Sequence, residues 1–86
     1  MHFDLVDMRL FVAVAETRSI TRGAERSALA LASASERIKG MEAALGVALL
    51  ERQRRGVRLT AAGESLLDHA RIVLHQVAAM QGELTA

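Results

Sequence analysis

Cysteine, proline, tryptophan and tyrosine are all missing from this sequence, and its aromatics are two phenylalanines, Phe3 and Phe11. Without cysteine there is neither a disulfide framework nor a thiolate metal site. Without proline, no residue breaks a helix by removing a donor and clashing with the preceding turn. Hydrophobic residues make up 51% of the chain but aromatics only 2%. The core must therefore be built from Leu, Val, Ile, Ala and Met, which pack well on helices, so a mostly α fold is expected. No apolar run approaches the roughly 20 residues of a membrane span. The longest, Leu10 to Ala15, is bounded by Arg9 and Glu16, and Asp4 and Asp7 are unlike the basic start of a signal peptide. A soluble, cytoplasmic chain with no membrane partner is expected. Its 86 residues make one small domain, lean enough to gain stability from dimerisation.

Charge of one sign is also scarce, with a net of +1. Four of the eleven basic residues, however, fall in the segment Arg52-Gln53-Arg54-Arg55-Gly56-Val57-Arg58-Leu59-Thr60, which holds no acid. Phosphate attraction depends on where cations sit, more than on their total. Gly56 supplies a turn, and Val57 and Leu59 alternate with Arg58 in strand fashion. The segment reads as a short basic hairpin able to probe a nucleic acid, and the run alone leaves a solvated surface turn equally open.

Helices are expected on both sides of it. The first runs from about Val6 to Thr17, with Leu10, Phe11, Val14 and Ala15 on one stripe. Ser19 is suited to cap a short second helix, from Ile20 to about Ser27, in which Gly23 and Ala24 are small enough for a close helix crossing. After a connection at Ala28 to Ala30, a third helix spans about Leu31 to Ala44. Its core face is Ala34, Ile38, Met41 and Leu45, and Gly46 suits a left-handed C-terminal cap. Leu49 and Leu50 lead into the basic hairpin as a short extended segment. Thr60 then caps a fourth helix to about Gln81. There Leu66, Ala70, Val73, Val77, Met80 and Leu84 recur at heptad spacing, which predicts a dimer seam. Leu67 and Leu74 form a second stripe that can face the domain.

Two short helices, a tight turn and a longer exposed helix resemble a helix-turn-helix, in which the third helix enters the major groove. The hairpin makes it a winged variant whose arginines reach a minor groove or flanking phosphates. At this point the sequence resembles the N-terminal DNA-binding domain of LysR-type transcriptional regulators. The matching residues are Leu10 to Glu16, then Ser19-Ile20-Thr21-Arg22 with Ala24-Glu25-Arg26, then Ser33 to Ser35, Ile38-Lys39, Met41-Glu42 and Leu45-Gly46-Val47. The most specific stretch is Leu49-Leu50-Glu51-Arg52, then Arg55-Gly56-Val57-Arg58-Leu59-Thr60 and Ala62-Gly63-Glu64.

The resemblance implies a winged helix-turn-helix over 1–59, with a three-helix core and a short β-hairpin wing, and a linker helix that dimerises over 60–86. It implies a C-terminal effector-binding domain, expected to be absent from this chain, so that a small-molecule effector is expected only for that domain. A homodimer bound to an inverted-repeat operator in double-stranded DNA is the expected assembly, in a bacterial cytoplasm and associated with the nucleoid. The chain departs from the family at the start of the third helix. Ala30 and Leu31 stand where a polar cap and a glutamine are usual, Glu36 stands where an arginine is usual, and Ser27 replaces a core leucine.

The candidate DNA contacts are Ser19, Thr21, Ala32, Ser33, Ser35, Glu36, Lys39, Arg54, Arg55 and Arg58. Ser33 and Ser35 either donate to DNA, the preferred reading, or bond back to their own helix. Glu36 either accepts from cytosine N4 or pairs with Lys39 or Arg37. Arg37 is as well explained by a solvated face, and Arg52 by pairing with Glu51 or Glu42. Ser19 and Thr21 sit where a helix start attracts phosphate, although Ser19 serves first as the cap. Arg55 is the leading wing contact, with Arg54 and Arg58 on phosphate. The candidate dimer interface is Leu66, Ala70, Val73, Val77, Met80 and Leu84. His69 and His75 are poorly spaced for joint metal ligation, and His2 is remote in sequence. No nucleophile elbow, phosphate loop or acid pair is present. No catalytic residue, metal or cofactor is expected. The alternative is a helical dimerisation or protein-interaction module whose winged fold does not read DNA.

Overall fold

Each helix begins where a side chain can satisfy its free first-turn N–H groups, with one exception. In the computed structural model, which describes residues 3–85, α1 spans Leu5–Thr17. Asp4 accepts from the Asp7 N–H at 2.8 Å, and Asp7 accepts in return from the Asp4 N–H at 3.2 Å, a reciprocal capping box. α2 spans Ile20–Arg26 and is capped by Ser19, which accepts from the Arg22 N–H at 3.1 Å. α3 spans Leu31–Leu45 behind Ala30, which offers no capping oxygen. α4 spans Ala61–Thr85, with Thr60 accepting from the Gly63 N–H at 3.0 Å. Between α3 and α4, β1 (Leu50–Gln53) and β2 (Gly56–Leu59) form an antiparallel hairpin, with Leu50 opposite Leu59 and Gln53 opposite Gly56.

The turn between α2 and α3 is closed by its backbone. The Ala28 N–H donates to the Glu25 carbonyl and the Leu29 N–H to the Ala24 carbonyl, at 3.1 and 2.9 Å. This double closure requires a left-handed residue after the cap, and Ala28 takes that role at φ 56°. Leu29 then folds back against the core.

Phe11, Leu10, Ile38, Met41, Leu49 and Val14 are fully buried, joining α1, α3 and the segment that leads into β1. α4 joins the same core through Leu67 and Ala70. Two expectations differ from this arrangement. Leu45, predicted on the core face, is 42% exposed; it lies in the last turn of α3, one turn beyond Met41, the last buried residue of the helix. α4 runs on to Thr85, past the expected end near Gln81.

Candidate nucleic-acid interface

α3 divides cleanly by its own period. Ala34, Ile38 and Met41 face inward, which turns Ala32, Ser33, Glu36 and Lys39 to the exposed side, with Ser35 half-buried at its edge. Neither the Ser33 nor the Ser35 hydroxyl has a hydrogen-bond partner among the described residues, so the bond back onto the helix is not made. Glu36 and Lys39 are likewise without an ion pair among the described residues.

Arg37, for which the sequence leaves a solvated face as one open reading, is instead bound to the start of α1. Its guanidinium donates to Asp7 Oδ1 at 2.8 Å and to Asp4 at 3.3 Å. Asp7 is buried, so a charge partner is required there. The Asp7 N–H and then the Arg37 guanidinium hold the Asp4 carboxyl below the usual carboxylate range, against a weaker opposing effect of desolvation. The same bonds to Asp7 and Asp4 push the Arg37 guanidinium up. The pairing fixes α3 to α1 and leaves Glu36 unanswered beside it.

The hairpin presents Arg54 and Arg55 as its two-residue loop, both exposed. Gly56, expected to supply the turn, is instead the first residue of β2, directly after the two-residue loop. It takes φ 115°, and a Cβ there would collide with the Arg18 carbonyl oxygen. That oxygen accepts from the Val57 N–H at 3.1 Å, tying the wing to the α1–α2 junction. Arg58, expected on phosphate, lies opposite Glu51 in the hairpin and donates to it at 2.8 Å. The pairing anticipated for Arg52 therefore goes to Arg58. Glu42 is occupied too, accepting from the Leu49 and Leu50 N–H groups at 2.8 and 3.4 Å.

Ser19 is engaged as the α2 cap, and Thr21 is exposed in the first turn. Arg18 is a neighbour of the wing that sequence reasoning missed. It caps α1 in the left-handed region, at φ 54°, with its side chain exposed. No local signal marked it, because its partner lies in a distant strand and arginine is not a residue that announces a positive φ.

The predicted dimer seam is split. Ala70 is 1% exposed and Leu66 is half-buried against the domain's own core, so Ala70 has no surface to offer a second chain and Leu66 little. Both lie in the first half of α4, where it crosses α1. Beyond that crossing, Val73, Met80 and Leu84 are exposed, Leu84 to 78%, and Val77 is half-buried; Ile72, outside the predicted seam, is exposed too. Glu16 braces the crossing by accepting from Arg26 at 2.9 Å and from Arg71 at 3.1 Å.

Among the described residues no group of three or more His, Cys, Asp or Glu is placed to hold a metal; His2 lies outside them. Among the described residues no helix is long and apolar enough to cross a membrane.

Comparison with known proteins gives a consistent picture. Residues 5–64 match the family model described as bacterial regulatory helix-turn-helix protein, lysR family. The chain is 48% identical over 77 residues to the HTH-type transcriptional activator AllS of Klebsiella pneumoniae, covering 90% of this chain and 28% of that one. It is 44% identical over 73 residues to the Hca operon transcriptional activator HcaR of Escherichia coli (strain K12), covering 85% and 25%. The chain thus spans about a quarter of the length of these relatives. Among solved structures, a BenM DNA-binding domain in complex with catB site 1 DNA matches with TM-score 0.90 at 34% identity, over 96% of this chain and 93% of that one. A CbnR DNA-binding domain–DNA complex matches with TM-score 0.84 at 35% identity, over 96% and 94%.

Proposed function

Because the chain belongs to the lysR family of bacterial regulatory helix-turn-helix proteins, we propose that it is the DNA-reading part of a transcription regulator. Residues 1–59 form the reading unit and 60–86 the linker that pairs two copies. The exposed face of α3 enters the major groove, and the loop of the hairpin reaches the flanking groove or phosphates. One observation carries this reading: the outward side chains of α3 stand unpartnered on the same domain as Arg54 and Arg55, which form the tip of an anchored hairpin. A helix presented with free hydroxyls and free charge, in one domain with a pair of exposed arginines, has the parts needed for base contact and phosphate attraction.

The likeness to BenM and CbnR domains solved with DNA supports the same assignment. A symmetric dimer would set two such helices in successive major grooves, as an inverted repeat requires. Ile72, Val73, Met80 and Leu84 supply the apolar surface for that pairing. No catalytic role is assigned, and the named relatives are transcriptional activators.

The test is a fluorescence titration of the domain against a duplex selected from random DNA, repeated across salt concentrations. Affinity should fall steeply with salt, and the Arg54/Arg55 double alanine should lower the logarithmic slope by roughly 2, about one per lost phosphate contact. Equal affinity for scrambled duplexes would refute sequence readout, and would favour a winged module that pairs with proteins.

A further inference from the structure

The leading end of α3 is apolar where it meets solvent. Leu31, in the first turn, is 49% exposed, with Ala30 before it and Ala32 after it also exposed. Leu31 does not belong to the buried set that α3 gives the core, which is Ala34, Ile38 and Met41. Nor does it help cap the helix it begins, since neither it nor Ala30 has a side-chain oxygen. The fold therefore gives no account of a leucine at this position.

The surface around it restricts what it meets. Glu36 and Lys39 follow on the same outward side, and one leucine flanked by two alanine methyl groups is far smaller than the apolar patches that seat protein partners. The residues at the start of a reading helix are those that reach base edges. A leucine there has neither donor nor acceptor, so it cannot bond adenine or guanine in the major groove. Thymine alone among the four bases carries a methyl group on that edge.

We infer that Leu31 is a specificity-determining residue that reads thymine, packing its isobutyl group against the 5-methyl group in each half-site. The inference rests on the DNA-reading function proposed above and names the base class that this site selects. Ala30 and Ala32 assist by being small, which lets the helix end approach the base edge. Removing one methyl group from water against an aliphatic side chain is worth about a fourfold gain in affinity.

The experiment replaces thymine by deoxyuridine, one position at a time, in the duplex selected by the domain. This deletes the methyl group and leaves base pairing unchanged. For the wild-type domain, one symmetric pair of positions should lose about fourfold affinity per half-site. Leu31→Ala, an exposed change whose fold is checked by circular dichroism, should bind the thymine and uracil duplexes with nearly equal affinity. Wild-type binding indifferent to every such replacement would overturn the inference, as would an undiminished uracil penalty in Leu31→Ala. Either result would leave salt-dependent, sequence-preferring binding intact, and so the broader function standing. Loss of that binding for all duplexes would overturn both.

Discussion

The same substitution at two helical glycines should move stability in opposite directions. Gly23 in α2 and Gly40 in α3 both lie in helix interiors, where alanine is favoured over glycine by about 0.8–1.0 kcal/mol. At Gly40 a Cβ would meet nothing within 4 Å, so Gly40→Ala should gain nearly all of that. At Gly23 a Cβ would lie 2.8 Å from the Val14 amide nitrogen and 2.9 Å from its Cα, and closer still to one of its side-chain methyl groups. Carbon pairs are comfortable at about 3.5–4.0 Å, and backbone atoms cannot rotate away. α1 and α2 would have to part by roughly half an ångström or more along their whole crossing. Overpacking of this kind costs about 1–3 kcal/mol, and the rigid obstacle argues for the upper part of that range. Gly23→Ala should therefore be net destabilising by about 1–2 kcal/mol. At about 4–8 °C per kcal/mol for a domain of this size, the two variants should melt on either side of wild type and some 10–20 °C apart. Thermal melts must be run at one protein concentration, because any dimer makes Tm concentration-dependent. A Gly23→Ala domain as stable as wild type would refute the close-crossing argument.

Other perturbations follow from the same contacts. Ala30→Ser should supply the missing α3 cap and stabilise the domain by about 1 kcal/mol in urea denaturation. Arg37→Ala should destabilise it by about 1–3 kcal/mol, because Asp7 stays buried without its charged partner. The Asp4 carboxyl is held below its ordinary value, so its contribution is present above the unfolded value near 3.9. That contribution should disappear as pH falls through the native value, and an acid titration of Asp4→Asn should lack this loss. Glu36→Gln should raise affinity for scrambled duplex by removing an anion from the face of α3, while weakening any preference for cytosine.

How much was legible in the sequence depends on how local each cause was. Ser19, Gly46 and Thr60 act on residues within one turn, and each does the capping task its residue type suggests. Ala34, Ile38 and Met41 followed from helical period alone. The failures at Arg37, Arg58 and the α4 seam all involve partners in another element. The sequence leaves a solvated face open for Arg37 because nothing near it in α3 demands a cation, whereas the demand comes from Asp7 in α1. Arg58 was free in the sequence until strand register set it opposite Glu51. The heptad pattern in α4 was real, but periodicity cannot say which body a stripe faces. Leu66 and Ala70 share the spacing of Val73 and Met80, yet the first pair faces its own core.

That division of α4 has a consequence for how the molecule reports its own assembly. Beyond its crossing with α1, the helix continues to Thr85 with only Leu74 and Val77 half-buried. A free helical segment shorter than about 12–15 residues is marginal in water. On the proposed pairing of two copies through α4, these last turns gain order from the second copy, and winding them is part of association. Far-ultraviolet ellipticity should then deepen as the protein is concentrated, with the midpoint at the dimer dissociation constant. Under that pairing, helix content, usually a measure of folding, becomes a gauge of how many molecules have found each other.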